Sequence, residues 1–349
     1  MLLAVLVLLV LLLAVAWVKG WRPGPLLFKL GYAVYRTRVG LWMHLRSLGK
    51  VKRPHSSFGA SPLCHAFNGG RTMVYPIPFL SDNYAYLIVD VASSQAALVD
   101  AADPSAVASH LAAHPLAFPS LVITTLLCTH WHHDHSGGLS QMISSACPAL
   151  PLSRTLRVVA SPCDRVPGAT TRATHLSTVT IGQHTTLTSV ATPGHTRGHV
   201  CFLLGDAEAL FSGDLLFVCG MGKLFECPPE TAHQSLNVLL PTLLQPRTLI
   251  FPGHEYALKN LAFASSLFDG DQPVVSTKQA QVKALRQRSE PCIPSRWEDE
   301  LTYNPFVRVQ DPTFREALIS RWQIDPSQQD PASLLGVLRR LKTVFDEQH

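Results

Sequence analysis

LVITTLLCTHWHHDHSGG, residues 121–138, sets the reading of this chain. Its first nine residues, 121–129, are apolar and rich in branched side chains, the composition of a buried strand. The last three, Ser136-Gly137-Gly138, are a turn signal. Between them His130-Trp131-His132-His133-Asp134-His135 spells H-x-H-x-D-H at the tip of that strand. Imidazole nitrogens and carboxylate oxygens are donors that zinc takes. Scattered histidines usually serve as core or surface residues. Four donors at this spacing, behind a core strand, point instead to a metal site.

Three more donors arrive in the same way, each where a strand-like run gives way to a loop. His195 lies in Thr192-Pro193-Gly194-His195-Thr196-Arg197-Gly198-His199. Asp214 closes Phe211-Ser212-Gly213-Asp214, and His254 lies in Phe251-Pro252-Gly253-His254-Glu255-Tyr256. Singly, each reads as a turn or surface residue. In order, they bring the donors to seven, enough for two metals with a shared bridge. Cys128 directly precedes the first motif and, as a strand residue, reads as packed rather than reactive.

The order H-x-H-x-D-H, TPGHT-x-GH, SGD and GHEY resembles that of the metallo-β-lactamase superfamily. The spacing is similar to its hydroxyacylglutathione hydrolase (glyoxalase II) branch. The resemblance runs from about Val74 to the C-terminus and takes in Ser81-Asp82-Asn83-Tyr84 and Tyr303-Asn304-Pro305-Phe306. It implies an α/β fold, a four-layer αβ/βα sandwich with a small C-terminal helical domain, where composition alone implies only α/β. It assigns His130, His132 and His195 to one metal and Asp134, His135 and His254 to a second. Asp214 bridges the two, and Asp134 and Asp214 are counted as catalytic as well. Trp131 and His133 fall at variable positions. His199 and Asp100 are expected to support the ligands, because a ligating imidazole needs its other nitrogen fixed.

The same resemblance implies two zinc ions per chain, with iron or manganese as other occupants. A metal-bridging hydroxide would form near neutral pH and attack the carbonyl of a thioester. The implied substrate is a hydroxyacylglutathione thioester, held by Lys223, Tyr256, Arg339 and Lys342. Arg339 and Lys342 lie three apart, on one face of a helix. Without the resemblance they read as cations complementing the end of a helix dipole. Leu334, Leu338, Leu341 and Phe345 form that helix's packing stripe. Two departures from the branch fall nearby: Phe225 stands where Tyr is usual, and Met221-Gly222 where Cys-Gly is expected. Two other functions remain open at this point. One is a sulfur dioxygenase of the same superfamily holding one iron at His130, His132, His195 and Asp214. The other is a membrane-bound protein of this fold with little turnover.

The remaining sequence bounds the organisation. Hydrophobic residues make up 47% of the 349, enough for a sizeable core. Eight cysteines without a paired CxxC argue against a disulfide framework or a structural zinc finger. Ten of the 29 Lys and Arg precede Asp82, the first acidic residue, so residues 82–349 hold 19 basic and 24 acidic residues. The overall charge of +5 therefore belongs to the N-terminal arm. That distribution suits anionic lipid headgroups and not nucleic acid. Residues 1–18 are uncharged and apolar, long enough for a transmembrane anchor. The basic segment at 19–72 would keep the enzyme on the cytosolic side. A cleaved signal and mitochondrial targeting are the alternatives. Residues 73–268 are expected to form the catalytic domain and 269–349 a helical substrate domain. Helices are expected at 105–113, 230–244, 259–267, 277–287, 313–322 and 332–344, and a hairpin at 84–99.

Overall fold

The computed structural model describes residues 31–47, 63–114, 118, 120–144, 147–268 and 272–349. The chain divides into two units, Met1–Lys50 and Val51–His349. In the first, the helix Arg38–Ser47 leaves Val39, Trp42 and Met43 exposed. Its ten residues rise about 15 Å, half of what a bilayer core demands. Among the described residues no helix is long and apolar enough to cross a membrane. The expected anchor at 1–18, part of the basic segment and the expected domain boundary at 269–271 lie outside the described residues.

The second unit is built on two sheets. The first holds seven strands in the order β1 (His65–Phe67), β2 (Thr72–Phe79), β3 (Asn83–Asp90), β4 (Gln95–Val99), β5 (Val122–Leu127), β6 (Leu152–Ala160) and β7 (Thr171–Arg172). Pairing is antiparallel from β1 to β4 and parallel from β4 to β7. The second comprises β8 (Thr178–Ile181), β9 (Thr185–Ala191), β10 (Val200–Leu204), β11 (Ala209–Gly213), β14 (Leu249–Pro252) and β15 (Ser295–Arg296). Its spatial order is β15-β14-β11-β10-β9-β8. β12 (Leu216–Phe217) and β13 (Gly220–Met221) make a separate two-stranded ribbon.

The strands are apolar on both faces because both faces are covered. On β10, Phe202 points into one core with Tyr86, Val99, Leu127, Phe211 and Phe251, between the two sheets. Its neighbours Cys201 and Leu203 point the other way, into a second core with Leu236, Phe263, Leu318 and Leu338 from helices. The result is an α/β sandwich with a helical C-terminal region, as the resemblance implies. β5, β9, β11 and β14 all end at one edge of it. The loops that follow those four strands carry the seven donors.

The helices at Pro104–Ala113, Ala257–Ser266, Pro273–Gln287, Pro312–Trp322 and Pro331–Gln348 match the expected ones within a few residues. The helix expected at 230–244 is interrupted. It runs as Pro229–His233, a π-turn over Gln234–Leu239, and Leu240–Leu243. Pro241 has no N–H to return to residue 237, so the regular ladder cannot continue through it. Among the elements not foreseen are the helix Trp297–Tyr303 and β15, which pairs with β14.

Candidate metal centre

Side-chain nitrogens and oxygens converge in three overlapping groups. They are His130 with His132 and His195, His130 with His135 and Asp214, and Asp134 with His135 and His254, each with its donor atoms within 4.8 Å of one another. Asp214 joins them. Its Oδ2 lies 3.3 Å from His195 Nε2. Its Oδ1 lies 3.3 Å from His135 Nε2 and 3.4 Å from His254 Nε2. Asp134 Oδ2 stands 3.4 Å from His254 Nε2 and 3.6 Å from His135 Nε2. All seven expected donors are therefore brought together. His133 belongs to none of these groups and faces the Trp131 ring.

The supporting shell fixes which nitrogen of each imidazole faces inward. His135 Nδ1 donates to Asp100 Oδ2 at 2.9 Å, and His254 Nδ1 donates to Asp82 Oδ1 at 2.7 Å. His195 Nδ1 donates to the Lys223 carbonyl at 2.8 Å. Thr129 Oγ1 donates to Asp100 Oδ2, so it accepts from His130 Nδ1 at 3.1 Å. Each of these rings thereby turns its Nε2 toward the donor cluster. His132 is the exception, with Nδ1 inward, 2.9 Å from His195 Nε2. Among the described residues, His130 Nε2 and Asp214 Oδ1 are buried with no hydrogen-bond partner, a costly arrangement unless another group takes them up.

The electrostatics ask for a cation. Burial holds His130, His132 and His195 below their usual pKa, so they are neutral donors. Burial opposes charge on Asp214 as well, but His254, His135 and His195 hold its carboxyl well below the usual range. At His135 the effect of Asp214, Asp134 and Asp100 overcomes burial and raises the pKa to about 10. Positive charge is thus favoured where three carboxylates meet. The neutral imidazoles, the ionised carboxylates and the two orphaned atoms fit metal ions bound at this edge.

Residues 80–254 match the Metallo-beta-lactamase superfamily, and residues 255–345 match the Hydroxyacylglutathione hydrolase C-terminus family. A cytoplasmic hydroxyacylglutathione hydrolase of Arabidopsis thaliana is 37% identical over 256 residues, covering 72% of this chain and 94% of that protein. The chain belongs to the hydroxyacylglutathione hydrolase branch of the metallo-β-lactamase superfamily. Among solved structures, ETHE1 from Myxococcus xanthus is 23% identical with a TM-score of 0.46, covering 74% of this chain and 94% of that one. The BLEG-1 B3 metallo-β-lactamase is 21% identical with a TM-score of 0.45, covering 67% of this chain and 99% of that one.

This glyoxalase II-branch protein is a metal-dependent hydrolase. Its expected membrane placement is corrected. No described helix can span a bilayer, and the relative from Arabidopsis thaliana is described as cytoplasmic. The expectation rested on residues 1–18 and the basic segment after them, and apolar composition at a terminus does not distinguish a span from other uses of the same residues.

The four expected substrate residues fall into two pairs. Tyr256 stacks on His254, ring centroids 4.8 Å apart and 6° from parallel, and Lys223 is exposed beside His195. Both are at the metal edge. Arg339 and Lys342 are buried and turned inward. Lys342 Nζ is bonded to Asp346, and Arg339 Nη2 lies 3.7 Å from the same carboxylate. Arg339 Nη1 donates to the Met221 carbonyl at 2.6 Å. Phe225 sets its ring edge-on to His132 and His195.

His199 and Asp100 do support the site. His199 Nε2 accepts from the Asp214 amide at 3.2 Å, and Asp100 holds both His135 and the Thr129 amide. Cys128 is packed, with burial raising its thiol well above the usual range. Two tethers carried no sequence signal. Asp164 accepts from the Trp131 amide, the Thr196 hydroxyl and the Gly198 amide. Glu226 accepts from Trp131 Nε1 and the Arg197 amide. Each ties the first ligand loop to the second across 30 to 100 residues of sequence, and an isolated Asp or Glu in a loop reads as solvated.

Proposed function

We propose that this enzyme is a dizinc hydrolase of hydroxyacylglutathione-type thioesters. The observation that carries the reading is the division of Asp214. One carboxylate oxygen faces His195 and the other faces His135 and His254. His130, His132 and His195 would hold one ion, Asp134, His135 and His254 the other, and Asp214 both. Zinc bound there supplies Lewis acidity toward a carbonyl oxygen and a water of lowered pKa.

The protein's own groups do the rest. Asp100, Asp82, Thr129 and the Lys223 carbonyl lock the imidazoles so that the site needs no reorganisation. Asp134 and Asp214 keep their charge and offset the cations. Lys223 offers an ammonium at the rim to an acidic substrate arm, and Tyr256 lines the same rim over His254. A carboxylate anchor at Arg339 and Lys342 requires displacement of Asp346. Residues 73–268 carry the metals in this reading, and 269–349 complete the substrate side. The relative's description as a hydroxyacylglutathione hydrolase supports the thioester assignment.

The test is metal analysis of the purified chain together with hydrolysis of an S-hydroxyacyl glutathione. About two zinc ions and release of free glutathione are expected. One iron per chain with oxygen uptake in the presence of a glutathione persulfide would replace this reading with the dioxygenase. Full metal loading without turnover of either substrate would leave neither.

A further inference from the structure

Residues 217–225 form a strap between the helical C-terminal region and the metal edge. On one side the strap grips His195. The Lys223 carbonyl accepts from His195 Nδ1 at 2.8 Å, and the Phe225 amide donates to the His195 carbonyl at 3.3 Å. Gly222 lies so close to Asp214 that a Cβ there would stand 2.0 Å from the Asp214 carbonyl oxygen and 3.0 Å from His195 Nδ1. On the other side the strap is held by side chains of the C-terminal region, among them Glu300, Asn304 and Arg339. Glu300 Oε2 accepts from the Cys219 amide at 2.9 Å, where Cys219 adopts a φ of 55°. Asn304 Nδ2 donates to the carbonyls of Gly220 at 3.1 Å and Phe217 at 3.4 Å. Arg339 Nη1 donates to the Met221 carbonyl at 2.6 Å.

We infer that Arg339 and Asn304 are positioning residues for the metal ligand His195, acting through this strap. The inference rests on His195 being a ligand, as proposed above, but not on the identity of the substrate. Lys223 is exposed, and among the described residues its carbonyl is the acceptor that holds His195 Nδ1, so the ring is only as fixed as the strap. The strap itself makes few bonds of its own, since its ribbon pairs over just two residue pairs. The buried guanidinium, backed by Phe306 at 5.4 Å and by Asp346, and the buried Asn304 amide supply the rigidity. A residue expected to grip substrate therefore also bears on the metal ligand. Loss of a group that orients a ligating imidazole costs about 10- to 100-fold in metal affinity.

The experiment measures zinc affinity of the full chain by competition with a chelator, for the wild type and for Arg339→Ala, Arg339→Lys, Asn304→Ala and Arg340→Ala. Circular dichroism establishes that each is folded. Arg339→Ala and Asn304→Ala should weaken one of the two zinc ions about 10-fold or more. Arg339→Lys, which can still donate once to Met221, should recover part of the loss and covers the case in which Ala does not fold. Arg340→Ala, one residue on but exposed and bonded to Gln328, should bind zinc as the wild type does. Unchanged zinc affinity in both Arg339 variants, with KM for a glutathione thioester raised, would make Arg339 a substrate anchor and overturn the inference. An equal loss in Arg340→Ala would reduce the effect to helix stability. A wild type that binds zinc twice but does not hydrolyse the thioester would sink the substrate reading and leave this inference standing.

Discussion

The carboxylate of Asp82 lies 2.7 Å from Nδ1 of His254. It joins the start of β3 to the loop after β14, and Asn83 makes the neighbouring backbone bridge to His254. The bond fixes the tautomer that leaves Nε2 free toward Asp134 and Asp214. Asp82→Asn keeps the shape and weakens the acceptor. It should lower affinity for one zinc ion about 10- to 100-fold, measured by chelator competition, with no change in fold. Wild-type affinity in this variant would mean that Asp82 is only a turn residue.

Asp214→Asn should lose both metals together. Only a carboxylate presents an anionic oxygen on the His195 side and a second on the side of His135 and His254, whereas a carboxamide has one oxygen. Loss of a single ion, read by elemental analysis after dialysis, would contradict the bridging role.

His132→Ala and His133→Ala separate the register of the first motif. His132 Nδ1 sits 2.9 Å from His195 Nε2, inside the donor cluster, while His133 packs on Trp131 outside it. The first variant should abolish hydrolysis and the second should retain most of it. Equal losses in a steady-state assay would place the ligands one residue further on.

Lys223→Ala removes an exposed ammonium and leaves the backbone carbonyl that holds His195. A charge-assisted hydrogen bond to an acidic substrate arm is worth about 1.5–3 kcal/mol, roughly a 10- to 100-fold change. The loss should fall on KM, with kcat and zinc content kept. A glutathione thioester and one lacking the γ-glutamyl arm should be compared. A loss on both alike would remove Lys223 from substrate recognition.

Glu300 supplies a pH dependence of stability. Burial raises its carboxyl to about 7, against the Cys219, Asn304 and Tyr303 donors that favour its charge. Between about pH 4.5 and 7 the unfolded chain gives up this proton while the folded chain keeps it. Its contribution is therefore full at low pH and fades as pH rises through about 7. The whole effect is about 3 kcal/mol. Urea unfolding of the wild type and Glu300→Gln at pH 5 to 8 should show the difference between them shifting across that window in favour of the variant. A constant difference would mean that Glu300 is ionised throughout.

The metal edge was legible because its donors sit within or beside turn signals at strand ends, where local chemistry is the whole message. Amphipathic helices were legible for a similar reason. Asp164, Glu226 and Asp82 were not, because a carboxylate that bridges loops 30 to 170 residues apart looks in sequence like any loop acid. The π-turn at Gln234–Leu239 reads as plain helix until the missing N–H of Pro241 is placed against residue 237.

The sequence by itself determined the strand–loop–donor plan, the seven donors and their order, and the helical character of the C-terminal region. These follow from residue type and spacing, which no packing alters. Only the tertiary structure decided what the donors' partners are and where the cations of the last helix point. Arg339 and Lys342 share a helix face in any arrangement of this chain. Asp346, four residues on, is within reach of Lys342 on the same helix, but whether that face meets a substrate or the strap beneath His195 depends on the helix docking against residues more than 100 positions away, which nothing local encodes.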